Sequence, residues 1–278
     1  MSTTKTQYDF TKVPEITPFF WIVKVLTTAM GESTSDFLVY HINPYVAVLI
    51  GAIGFILAMA LQFRMRRYVA WVYWFAVLMV AVFGTMAADV LHVALGVPYI
   101  ASTTLFAVSL VIIFIAWYAS EKTLSIHSIY TVRREFFYWA TVSATFALGT
   151  ATGDLTATTF GLGYLTSGIM FAGLIAAVGA SHFIVKNTLG SRQKHRSRNE
   201  VLAFWLAYIL TRPLGASFAD WMGKPHSWGG LGWGDGTVTF CLFIPILLFV
   251  WYLATSRIDI KEQNAGPANE PESLYLSK

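Results

Sequence analysis

The residues of this chain that can do chemistry recur at fixed intervals. Asp36, Asp89, Asp154 and Asp220 each stand fifteen residues after a tryptophan (Trp21, Trp74, Trp139, Trp205) and five after a glycine (Gly31, Gly84, Gly149, Gly215). All four lie towards the ends of long apolar segments. An ionisable side chain inside a membrane is costly and marks an ion or proton site by default. Carboxylate and hydroxyl oxygens suit hard cations such as Mn²⁺, Mg²⁺ or Ca²⁺, and protons. The competing reading is local: an Asp at the end of a span bonds backbone amides and holds the hairpin.

Steps of four residues keep side chains on adjoining parts of one helix face. Four before the Asp stand Glu32, Thr85, Thr150 and Ala216; eight before it, Thr28, Ala81, Phe146 and Arg212; twelve before it, Lys24, Val77, Val142 and Tyr208. Only the first and last repeats carry full charges at these extra positions. Glu32 and Asp36 are like charges at i and i+4, and their repulsion grows in a low dielectric. They must share a proton, bind a cation, or be answered by Arg212 or Lys24. Arg212 is expected to pair with Glu32 or a repeat Asp across the contact of the first and fourth repeats. Lys24, one turn inside its Trp, is expected to snorkel towards the interface if it is not a counter-charge.

The tryptophans are expected in an aromatic belt at the cytoplasmic interface, and the glycines at close helix contacts in mid-membrane. Pro213 predicts a kink or break in the seventh span. His41 and His92 lie just beyond Asp36 and Asp89 and are weak candidates for transition-metal ligands at the mouth. No HExxH, phosphate-loop or GxSxG pattern is present, so no catalytic residue is assigned. The single cysteine, Cys241, excludes an internal disulfide or CxxC motif.

These residues need long membrane helices to hold them. Of 278 residues 56% are apolar and only 12% charged, with mean hydropathy +0.58. An average soluble domain carries about 25% charge, so the composition argues against a soluble enzyme, a disordered chain or a nucleic-acid-binding module. No secretory signal is read in residues 1–16. Eight spans are expected near 17–38, 44–63, 70–92, 100–119, 136–157, 161–185, 200–222 and 236–255. The loops after the second, fourth and sixth spans, with the two tails, hold sixteen of the nineteen Lys and Arg. The opposite loops hold Lys224 alone. Both termini are therefore expected in the cytoplasm. The formal charge of +4 is topogenic on this reading and not an invitation to nucleic acid.

The Trp–Gly–Asp triplets divide the chain into a cytoplasmic tail (1–16), four repeats (17–69, 70–134, 135–199 and 200–257) and a disordered cytoplasmic tail (258–278). Each repeat has two spans, so all four point the same way and pack about an axis along the membrane normal. The fold expected is an all-α integral membrane protein of eight helices in four parallel two-helix repeats. On these triplets the chain resembles a bacterial membrane-protein family defined by four tandem repeats, each with two transmembrane segments and a tryptophan. The resemblance covers roughly residues 15–257. It implies the architecture and a bacterial inner-membrane setting, and supplies no site residues or cofactor.

The function expected is a permease or channel-like transporter for a small cation. Its path between the repeats would be lined by Glu32, Asp36, Asp89, Asp154, Asp220, Thr28, Thr85 and Thr150, with Arg212 and Lys24 as counter-charge or gate. The alternatives are an intramembrane enzyme or quinone- or lipid-binding protein, suggested by ten Trp and 16% aromatic residues, and a structural partner subunit with no path of its own.

Overall fold

The structure, a computed structural model, describes residues 11–188 and 193–260; the side chains of residues 93–94, 186, 188 and 193–198 are not described. Eight long helices occupy the described residues: α1 (Pro18–His41), α2 (Pro44–Arg64), α3 (Ala70–Asp89), α4 (Tyr99–Glu121), α5 (Val132–Asp154), α6 (Tyr164–Thr188), α7 (Gln193–Gly223) and α8 (Asp235–Ser256). Local signals start several of them. Thr17 accepts from the Phe20 amide ahead of Pro18, and Asn43 from the Tyr45 amide ahead of Pro44. Thr131 caps α5 by accepting from the Arg134 amide.

Six of the eight are long and apolar enough to cross a membrane: α2, α3, α4, α6, α7 and α8. The other two, α1 and α5, hold polar residues that are buried inside the protein. In α1 these include Lys24, Thr27, Thr28, Glu32 and Ser33, and in α5 Thr141, Thr145 and Thr150.

The first helices of the repeats form a closed inner ring, α1 on α3, α3 on α5, α5 on α7 and α7 back on α1. Each second helix packs outside the ring against the first helix of the next repeat: α2 on α3, α4 on α5, α6 on α7 and α8 on α1. Every repeat therefore clasps its successor, and the fourth clasps the first. The outer helices turn apolar side chains outwards, such as Leu49 and Ile56 on α2, Ile112 and Ile115 on α4, and Leu248 and Trp251 on α8. In water such surface would be a liability; in lipid it is solvated.

The repeat glycines set the ring's spacing. A methyl group on Gly84 would lie 2.8 Å from Cβ of Phe146, and one on Gly215 2.9 Å from Cβ of Thr28. Gly31 faces Ala81 in the same way, and Gly149 faces Arg212. Each Gly thus abuts the residue eight before the Asp of the following repeat, all the way round. This is the small-residue contact by which membrane helices approach.

Two expectations are corrected. The tryptophans Trp74, Trp139 and Trp205 do not face lipid as a belt; they are buried among aromatic side chains between repeats. Each of the four repeat tryptophans follows a buried aromatic residue (Phe20, Tyr73, Tyr138, Phe204) that packs on the next tryptophan round the ring, closing one end of it. Of the kink or break expected at Pro213, the break does not occur, since helix α7 runs through it. Residues 11–16 of the N-terminal tail pack on the helices: the Lys12 amide bonds the Ile129 carbonyl, and buried Lys12 pairs with Glu135 at 2.5 Å, which also accepts from Gln62 Nε2 at 2.9 Å. The loop cluster Lys186–Arg198 and the tail from Lys261 onwards, which carry part of the topogenic charge, lie outside the residues whose side chains are described.

Candidate functional site

Because the four inner helices are related round one axis, equivalent residues meet there in layers. Starting from the Trp end, the first mixed layer is Lys24, Val77, Val142 and Tyr208, all fully or nearly fully buried. Lys24 is 1% exposed, so it does not snorkel. Its ammonium lies 4.2 Å from the ring centre of Phe146 and 4.4 Å from that of Tyr208, and donates to Thr28 Oγ1 at 3.2 Å. It pairs with no carboxylate among the described residues. The Thr28 hydroxyl in turn donates to the Lys24 carbonyl at 2.6 Å.

The next layer is Thr28, Ala81, Phe146 and Arg212. Arg212 is 0% exposed and its side chain climbs one layer further, to Glu32, Thr85 and Thr150. There Nη2 donates to Glu32 Oε2 at 2.6 Å and to Thr150 Oγ1 at 2.7 Å, and also contacts Thr85 Oγ1. Thr85 Oγ1 donates to the same Glu32 oxygen at 3.1 Å, and Arg212 Nη1 reaches the Thr28 carbonyl at 3.4 Å. The fourth repeat contributes only Ala216 to this layer, and that small side chain leaves room for the guanidinium. One arginine from repeat four is thus bonded to the equivalent residues of the other three repeats. Arginine keeps its charge in proteins, and its planar fork suits several acceptors at once.

The last layer holds the repeat aspartates. None caps a backbone turn. Asp89 and Asp154 end their α-helices, each followed by a π turn (Val90–Ala94 and Leu155–Thr159), and neither side chain makes a capping bond. Helices that widen this way do so often at functional positions. Asp36 pairs with Lys224, whose ammonium lies 3.8 Å from Asp220 and 3.9 Å from Asp235. Carboxylate oxygens of Glu32, Asp36 and Asp220 lie within 4.8 Å of one another. Burial works against the Lys224 charge, but Asp220, Asp36 and Asp235 outweigh it and hold its pKa above the ordinary lysine value.

His41 and His92 are not among the residues whose ligating atoms converge here. His41 Nδ1 meets the Phe37 carbonyl at 2.8 Å. His92 Nδ1 meets the Val97 carbonyl at 2.7 Å and its Nε2 the Ser102 hydroxyl at 3.0 Å. The structure does not bring them to a metal-ligating position beside the acids.

Sequence reasoning passed over Lys224, Asp235 and Phe146. A signal for Lys224 was present: it is the lone basic residue among the loops at the Asp end, and stands four after Asp220. Asp235 carries no repeat spacing, and its place follows only from the turn His226–Trp228, which folds the α7–α8 loop back.

A family model for a repeat of unknown function, DUF347, matches the chain four times, at residues 19–68, 72–123, 137–188 and 203–259. The chain belongs to this family. Each match contains one helix of the inner ring and the outer helix that follows it. No curated protein and no solved structure matches the chain.

Proposed function

We propose that this DUF347 protein is a multi-pass permease of the bacterial inner membrane, moving a hard cation along the axis of its four-helix ring. On this reading all eight long helices span the bilayer. α1 and α5 can do so despite their polar residues because the ring covers those residues on every side. The basic loops put the Trp end and both tails in the cytoplasm, so the acid layer faces outwards.

The observation that carries the proposal is the convergence of Glu32, Asp36 and Asp220 within 4.8 Å at the mouth of the axis, by side chains that no hairpin needs. Carboxylates so close together call for a cation. Lys224 is the cation that answers them here, as a tethered stand-in for a mobile ion. Below it, the Arg212–Glu32 pair and the Phe146 ring close the path, which makes this the closed form. Opening requires the guanidinium to leave the axis, and an ion arriving among the acids competes with Arg212 for Glu32. Thr85 and Thr150 then offer hydroxyl oxygens where Arg212 had been, with Thr28 one layer below.

The test is reconstitution in liposomes with a metal-sensitive dye inside. Mn²⁺ or Ca²⁺ entry above that of empty liposomes, abolished by the double variant Asp36→Asn, Asp220→Asn, is the expected result. Liposomes no more permeable than empty ones to these ions and to protons would remove the proposal.

A further inference from the structure

The fourfold pattern is broken at one place away from the axis. Repeats two and three are matched over equal lengths, so their outer helices can be aligned residue for residue. Phe114 and Trp117 on α4 correspond to Gly179 and His182 on α6. The first pair fills its cleft. Phe114 and Trp117 pack against Trp205 of the fourth repeat, two repeats on, at 5.2 and 5.8 Å between ring centres, and Trp205 Nε1 donates to the Leu124 carbonyl at 2.9 Å.

At the next position round the ring, Trp21 is the counterpart of Trp205, and α6 offers it no aromatic partner. A cavity of about 630 Å³ stands there instead, between α1, α6, α7 and the α4–α5 loop. A methyl group on Gly179 would meet nothing within 4 Å. The cavity runs beside α7 from Glu200 to Leu214, about 21 Å of helix. Val25, Ile175 and Val178 give it apolar walls, while Ser125 and His127 lie in the loop at its Trp end. His182 lines it too, and its Nδ1 is buried without a hydrogen-bond partner. Most buried side-chain polar atoms have a hydrogen-bond partner, and of the several in this chain that lack one, such as Trp74 Nε1 and Trp139 Nε1, His182 Nδ1 is the one whose residue lines this cavity.

We propose that this cavity binds a lipid-soluble quinone. The size is that of a small-molecule site. The one charged residue in the described lining is an acid, Glu200, with no lysine or arginine to neutralise a phosphate, which disfavours a phospholipid head. A flat neutral ring can lie against the wall formed by Trp21 and Phe204, which pack on each other at 5.7 Å, one of its carbonyls accepts from His182 Nδ1, and a single chain follows the apolar groove. The proposal concerns binding and does not depend on the axis carrying an ion.

The experiment is a titration of the purified full-length protein in detergent with decylubiquinone, reading tryptophan fluorescence. The wild type is expected to show saturable quenching. Gly179→Phe, which restores the aromatic residue of the preceding repeat, should weaken that binding by about tenfold or more, a loss of about 1.4 kcal/mol, with an unchanged melting temperature. If Gly179→Phe does not fold, His182→Phe serves in the same titration. Saturable binding untouched by the variant that folds overturns the proposal. So does quenching that never saturates, or a purified protein that yields only phospholipid on extraction and binds no decylubiquinone.

Discussion

Arg212 Nη2 lies 2.6 Å from Glu32 Oε2, across the contact that closes the ring between the fourth repeat and the first. Both side chains are buried, and the same nitrogen bonds hydroxyls from the second and third repeats. The pair therefore ties all four repeats together at one point on the axis. Removing one partner of such a pair leaves a charge buried alone, whereas removing both can be nearly neutral. Arg212→Met should cost about 3–5 kcal/mol, and Glu32→Gln added to it should recover much of the loss. Unfolding of the two single variants and the double variant in detergent measures the coupling. Additive losses would show that the pair does not hold the ring.

The glycines that space the ring should tolerate no side chain. At Gly84 an added Cβ would stand 2.8 Å from Phe146 Cβ, and at Gly215 2.9 Å from Thr28 Cβ. Gly84→Val is expected to lose about 1–3 kcal/mol through overpacking. Gly173→Val, on the outer helix α6 with open space beside it, should lose far less, with only the propensity penalty of a β-branched residue in a helix. Melting temperatures of the two variants, side by side, decide the point.

Much of this was legible in the sequence, because the repeat spacing is itself a symmetry statement. Four Trp–Gly–Asp triplets require four equivalent helices, and steps of four from each Asp named the residues that now meet on the axis. Charge and spacing led to a pairing of Arg212 with Glu32 or a repeat Asp, and the structure makes the partner Glu32. The closed ring with each outer helix clasping the next repeat was not legible, since spacing within a repeat says nothing of which neighbour it packs on. For the same reason the tryptophans were expected in an interfacial belt, although Trp74, Trp139 and Trp205 fill the seams between repeats. Lys12 was counted as a topogenic charge, while its partner Glu135 lies more than a hundred residues away and carries no repeat spacing.

Lys224 should behave as a displaceable cation. In Lys224→Met the carboxylates of Asp36, Asp220 and Asp235 lose their common partner, and the variant is expected to melt below the wild type in the absence of divalent ions. Added Mn²⁺ or Ca²⁺ should then raise its melting temperature more than that of the wild type. A ligand at a hundred times its dissociation constant stabilises by about 2.7 kcal/mol. Equal responses of the two proteins would mean that Lys224 does not occupy an ion site.

The seat of the C-terminal segment should be sensitive to pH. Burial pushes the Asp259 carboxyl above its ordinary value of 3.8, against the Tyr68 hydroxyl that donates to it at 2.5 Å. A carboxyl with a raised folded pKa holds its proton better in the folded state. Its contribution to stability is complete below the ordinary pKa and is lost as pH rises through the raised one. Asp259→Asn keeps an acceptor for Tyr68 and has no charge to bury. It should melt above the wild type at about pH 8, with the gap closing towards about pH 4. A gap that widens on acidification would reverse the assignment.

The central claim, that the ring axis is an ion path closed by Arg212, is tested most directly by Mn²⁺ flux into liposomes containing wild type or the double variant Glu32→Gln, Arg212→Met. The double variant removes the charged closure and should retain the fold. The account predicts Mn²⁺ entry through the wild type above that of empty liposomes, and through the double variant a markedly altered rate. Identical rates for both proteins, or none above empty liposomes for either, would contradict it.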